Sequence, residues 1–252
     1  MTALVLAETV SGGLFLLFVT PLWNEVKRGF FTLTGCVLLA LSFATWGAAA
    51  AGVVTGSDAG VWSVRLSAAL AFVNLVWVVL MFAKRHAAAR AVGIASVPLG
   101  IAVLAAMAGT AEGTWLVAFL QLLAGAAFLG AVIDGLLLGH WYLTDRGLTR
   151  TPINRMTNLL IAGVVLQAVA LLVGGFGPTE PSPEFNPLLT SAGLASWIAL
   201  GMVGATALIA VLIRVTLKGT RSTAVQSATG FFYLAVITAL TAEFAAKVRF
   251  LP

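Results

Sequence analysis

The chain has 252 residues, 60% of them hydrophobic and 9% charged, with a mean hydropathy of +1.05 and a formal net charge of +5. A soluble domain is roughly a quarter charged, so this composition excludes a water-soluble globular enzyme and specifies an all-α, polytopic membrane helix bundle. The single cysteine, Cys36, cannot form an intrachain disulfide, and without a Cys-x-x-Cys the chain alone supplies no iron–sulfur or thiolate zinc site.

A membrane-crossing helix needs about 20 mostly apolar residues. Eight segments approach or meet that length: Ala3 to Trp23, Phe30 to Val54, Val61 to Phe82, Ala91 to Met107, Trp115 to Tyr142, Met156 to Gly175, Leu189 to Leu217 and Ala224 to Phe250. They fill the chain, which reads as a single integral membrane domain. The N-terminus lacks the basic stretch of a cleaved leader and reads as the first transmembrane helix. The fourth segment is short and carries Pro98, which predicts a kink or tilt.

Charge sets the expected orientation. Lys27, Arg28, Lys84, Arg85, Arg90, Arg146, Arg150, Arg155, Arg214, Lys218 and Arg221 fall in or beside the connections on one side; only Arg65, Lys247 and Arg249 fall towards the other. Basic loops stay on the cytoplasmic side, which predicts both termini outside. The basic excess is therefore an orientation signal and a surface for anionic lipid, not for nucleic acid. The longest connection, Phe176 to Pro187, carries several prolines and predicts a stiff, non-helical outer segment. The first four and last four segments share an orientation, which allows a parallel duplication, though residue matches between the halves are thin.

Ionisable groups inside apolar segments are expensive and mark candidate sites. Near the outer ends lie Glu8, Arg65 and Glu243. Glu243 can pair with Lys247 one turn later, Arg65 can snorkel to the interface, and Glu8 needs a partner from another helix. Near the inner ends lie Asp134 and the run His140-Trp141-Tyr142 in the fifth segment. At about 100° per residue, Asp134 and His140 point to different faces, whereas Trp141 shares the Asp134 face. A histidine and aromatic rings at headgroup depth can bind a quinone head, and an acid can relay its proton; an ordinary interfacial aromatic belt is the other reading. Haem b would need both histidines, His86 and His140, and His86 sits in an apparent loop; a histidine-built metal site fails on ligand number. Asn74, Gln121 and Gln167 suit helix–helix hydrogen bonds, and Gly135-x-x-x-Gly139 suits close packing.

The C-terminal stretch Leu240-Thr-Ala-Glu243-Phe-Ala-Ala-Lys-Val-Arg249, an acid followed by a basic end closing an eight-helix bundle, resembles the membrane-anchor subunits of the polysulfide and dimethyl sulfoxide reductase type. The family's Gly before the Glu is Ala242 here. The resemblance implies a quinone-reactive subunit with no metal cofactor of its own, docked to iron–sulfur or cytochrome partners. The leading expectation is thus an integral subunit of a respiratory-type complex in a prokaryotic cytoplasmic membrane, not an enzyme on its own. In it His140, Trp141 and Tyr142 contact quinone, and Asp134, Glu8, Glu243 and Arg65 handle protons. A proton-coupled transporter or permease and a purely structural membrane subunit are the alternatives.

Overall fold

A computed structural model of the protein describes residues 1–52, 57–111, 113–145, 147–174, 192–219 and 223–250; for residues 192, 193, 249 and 250 it describes the backbone alone. The described residues form α1 (Thr2–Val19), α2 (Leu22–Glu25), α3 (Arg28–Gly52), α4 (Asp58–Phe82), α5 (His86–Ala108), α6 (Trp115–Thr144), α7 (Thr151–Val173), α8 (Ala192–Lys218) and α9 (Ala224–Ala246), closed by a 3-10 turn at Lys247–Phe250. All of these except the one-turn α2 and the closing turn are long and apolar enough to cross a membrane, giving eight spans. The chain is an integral, multi-pass membrane protein. The segment Phe176 to Pro187, with Glu112, Arg146 and Arg221, lies outside the described residues.

Several boundaries differ from the sequence expectation, each for a local reason. The first span stops at Val19 rather than Trp23, because Pro21 has no N–H to continue the ladder and the chain restarts as α2. The fourth span is not short: Lys84 takes a positive φ of 58°, turning the chain tightly enough for α5 to begin at His86. His86 therefore opens a helix and is not in a loop. Pro98 lies within that 23-residue helix. The sixth span starts earlier, at Thr151, with Pro152 in its first turn, where a missing N–H costs nothing. The last span ends at Ala246, and the chain tightens into the 3-10 turn that carries Lys247.

The helices pack as two four-membered rings. In the first, α1, α3, α4 and α5 each touch the next and α5 returns to α1; in the second, α6, α7, α8 and α9 do the same. The rings meet along α1 and α6, and the flanking contacts α5–α6 and α1–α9 are equivalent under a two-fold exchange of the rings. The order of neighbours is thus the same in the two rings.

Lipid offers no hydrophobic driving force between helices, so their approach depends on small residues. At the ring junction that approach is backbone to backbone. A Cβ on Gly12 would lie 1.8 Å from the Ala126 carbonyl oxygen, and one on Gly130 would lie 2.3 Å from the Gly12 carbonyl carbon. The Gly135 and Gly139 pair does something different, making room for the Phe232 and Thr229 side chains of α9. At the basic end, Arg155 of α7 holds Glu25 of α2 through two bonds of 2.6 and 3.0 Å, and Lys27 meets Asp145 at 3.1 Å. Both pairs tie one ring to the other. Large apolar side chains such as Phe72, Val79, Val165, Leu208 and Ile237 are exposed on the outside, as a lipid-facing surface requires.

Candidate functional site

The helix α6 organises the polar groups. Its 30 residues span about 45 Å, longer than the roughly 30 Å hydrocarbon layer. Three positions along it carry the chemistry: Gly125, Asp134 and His140.

Gly125 lies against a buried ionic triad. Lys247 Nζ sits 2.6 Å from Glu8 Oε1 and 3.0 Å from Glu243 Oε2, and all three residues are at most 1% exposed. A Cβ on Gly125 would come within 2.4 Å of Glu8 Oε1 and 3.0 Å of Glu243 Oε2, so the glycine is what lets both carboxylates fit beside α6. Burial opposes the charge on Lys247, but Glu243 and Glu8 together outweigh it and hold the ammonium pKa above its ordinary value. The Glu243–Lys247 pair was visible as i,i+4 spacing; Lys247 as the cross-helix partner of Glu8 was not. Arg65 is not part of this group. Its guanidinium lies 5.7 Å from the centre of the Trp62 ring on its own helix, as a snorkelling side chain would. The outer cluster is therefore Glu8, Glu243 and Lys247, with Arg65 left out.

Asp134 is nine residues further along, about 14 Å at the helical rise. It is fully buried, and neither carboxyl oxygen has a hydrogen-bond partner among the described residues. A Cβ built on Gly13 of α1 would meet Leu38 of α3 at 3.0 Å and Asp134 Oδ1 at 3.4 Å. The carboxyl thus sits at the junction of the two rings, separated from the triad by the Gly12–Gly130 crossing. Trp141 points the same way, as its spacing predicts, against Gly29 and Phe30 of α3.

His140 faces α9 instead. Its Nδ1 lies 3.2 Å from the Leu136 carbonyl, which can only accept, so in the neutral ring Nδ1 carries the proton. Nε2 is then an acceptor, and the Tyr233 hydroxyl donates to it at 2.5 Å, with the two rings edge to face. Tyr233 is 49% exposed, so the pair looks out of the bundle. Tyr142 is buried, and its hydroxyl donates to the Thr149 carbonyl. The three consecutive aromatics expected to form one site therefore point to three surroundings, because neighbours on a helix diverge by about 100°. Tyr233 was missed: a lone tyrosine at mid-helix carries no signal until its helix partner is known. For haem, the Nε2 that an axial ligand would use is the nitrogen bonded to Tyr233, and His86 opens a different helix.

Asn74 donates to Ser42 at 2.7 Å across α4 and α3, and Gln121 donates to the Ala170 carbonyl at 3.3 Å across α6 and α7, so both act between helices as expected. Among the described residues no three His, Cys, Asp or Glu side chains gather in a metal-binding group. The chain matches no family model, no curated protein and no solved structure.

Proposed function

We propose that this chain is the quinone-interacting membrane subunit of an electron-transfer complex, with the basic end cytoplasmic and both termini on the outer face of a prokaryotic membrane. The observation that carries the reading is the His140–Tyr233 pair, a hydrogen-bonded imidazole and phenol on the outer surface of the bundle near the end of α6. Polar aromatics on the lipid-facing surface of the bundle stand where a lipid-soluble carrier can reach them. With its proton donated to Nε2, the Tyr233 oxygen is left as an acceptor, the partner a quinol hydroxyl needs. The pair takes one of the quinol's two protons, Tyr233 accepting it while passing its own to His140 Nε2 and leaving an imidazolium. The second proton leaves to water at the basic end, and the two electrons leave to a redox centre in an iron–sulfur or cytochrome partner chain. Trp141 and Tyr142 support the helix end instead of touching the carrier.

The test is purification of the native protein in a mild detergent, followed by mass spectrometry of co-purifying chains and extracted small molecules. Redox-protein subunits in fixed ratio, together with quinone, are expected. A chain isolated alone and free of quinone would overturn the proposal.

One observation favours a second reading, a proton-coupled transporter. Asp134 lies where the two four-helix rings meet, and transporters built from two repeats hold their coupling ions at the corresponding junction. Substrate uptake driven by a proton gradient into vesicles holding this chain alone would decide for it.

A further inference from the structure

The triad at the termini end holds two carboxylates and one ammonium. If both acids are ionised it carries a net charge of −1 with no exposure to water. The electrostatic surroundings are sparse. The α6 residue against the two carboxylates is Gly125. The titratable residues of α5, α7 and α8, namely His86, Arg90, Arg155, Arg214 and Lys218, all belong to the basic end. On α6, Asp134 is two and a half turns away, and on α4 Arg65 is engaged with Trp62. Among the described residues, the side chains facing the triad supply no second cation, and the amino group at Met1 lies about two turns along α1 from Glu8. The polar atoms also fail to balance: Glu8 Oε2 and Glu243 Oε1 are buried and lack a hydrogen-bond partner among the described residues. An unpaired buried charge is far more costly than a neutral acid, and two carboxylates that share one site do not both stay ionised.

We propose that the triad is a proton-binding site, in which Glu8 and Glu243 share one exchangeable proton across the Lys247 ammonium. Uptake is a simple association: a proton from water on the termini side adds to one carboxylate, no bond to carbon changes, and no electron moves. The bound proton makes the cluster neutral. It also gives one acid an O–H with which to satisfy an otherwise orphaned oxygen. The site is independent of the His140–Tyr233 pair, which lies at the opposite end of α6, so either reading can fail without the other.

Infrared spectroscopy tests this directly, since a protonated carboxyl in a dry site gives a carbonyl band that shifts in heavy water. The full-length protein carrying Asp134→Asn, which removes the other buried acid, is the starting material. At neutral pH it is expected to show one such band, and adding either Glu8→Gln or Glu243→Gln is expected to abolish it, because one carboxylate then faces the Lys247 ammonium where two competed for it. Absence of the band in the Asp134→Asn protein, or its survival in the variant lacking Glu8 or in the one lacking Glu243, would overturn the proposal. Should one of the glutamine variants fail to fold, the other alone decides it.

Discussion

The two acidic levels of the ring junction solve the same problem in different ways. At the termini end, Glu8 and Glu243 are buried around a lysine brought in by the last turn of the chain. About 14 Å along α6, Asp134 is just as buried and has no hydrogen-bond partner among the described residues. One level carries a built-in counter-ion; the other has none among the described residues. A cation fixed in the fold makes the first group part of the architecture as well as a candidate proton site. A buried carboxyl without a partner is far less costly as a neutral acid than as an ion, and an ionisable group placed so is a functional candidate before it is a structural one.

The sharpest way to break this contrast is to remove the counter-ion. Lys247→Met leaves two buried carboxylates without a cation and is expected to cost about 3–5 kcal/mol, read as a large fall in thermal stability in detergent, with the loss reduced at low pH, where both acids are protonated. A stability equal to wild type at neutral pH would mean that the triad is not closed in the folded protein. The glycine crossing between the two levels comes next. Gly12→Ala places a methyl on the Ala126 carbonyl, and forcing the helices apart is expected to cost about 1–3 kcal/mol, whereas Gly201→Ala, at a glycine with open space around it, is expected to be silent. Equal effects at the two positions would remove the case for a close α1–α6 crossing. The smallest effect on stability is expected at Asp134 itself. Asp134→Asn mimics the neutral acid and is expected to change stability by no more than about 1 kcal/mol, while proton-linked turnover of the intact assembly falls. A large stability loss would show instead that Asp134 is ionised and partnered.

Much of this arrangement was legible in the chain itself. Hydropathy gave the eight spans, because only a helix satisfies its own backbone in lipid. The helical period placed Asp134 and Trp141 on one face and His140 on another, and the i,i+4 rule paired Glu243 with Lys247. What was not legible depended on which helices become neighbours. Lys247 meets Glu8, and Tyr233 meets His140, only because α9 packs against α6 and lies near α1; spacing within a segment carries no trace of that. Arg65 was grouped with the outer acids on depth alone, and depth does not say which way a side chain faces. The packing of His140, Trp141 and Tyr142 into three surroundings follows from the same geometry that separated Asp134 from His140, applied one residue at a time.

The measurement that tests the functional reading most directly is photolabelling of the native membranes with a photoreactive quinone, followed by peptide mapping. Labelling on the α6 and α9 peptides that hold His140 and Tyr233 is expected, competed by unmodified quinone and reduced in His140→Ala and Tyr233→Phe proteins that still fold. Labelling that is absent, or that persists unchanged at other helices in those variants, would contradict a quinone site at the His140–Tyr233 pair.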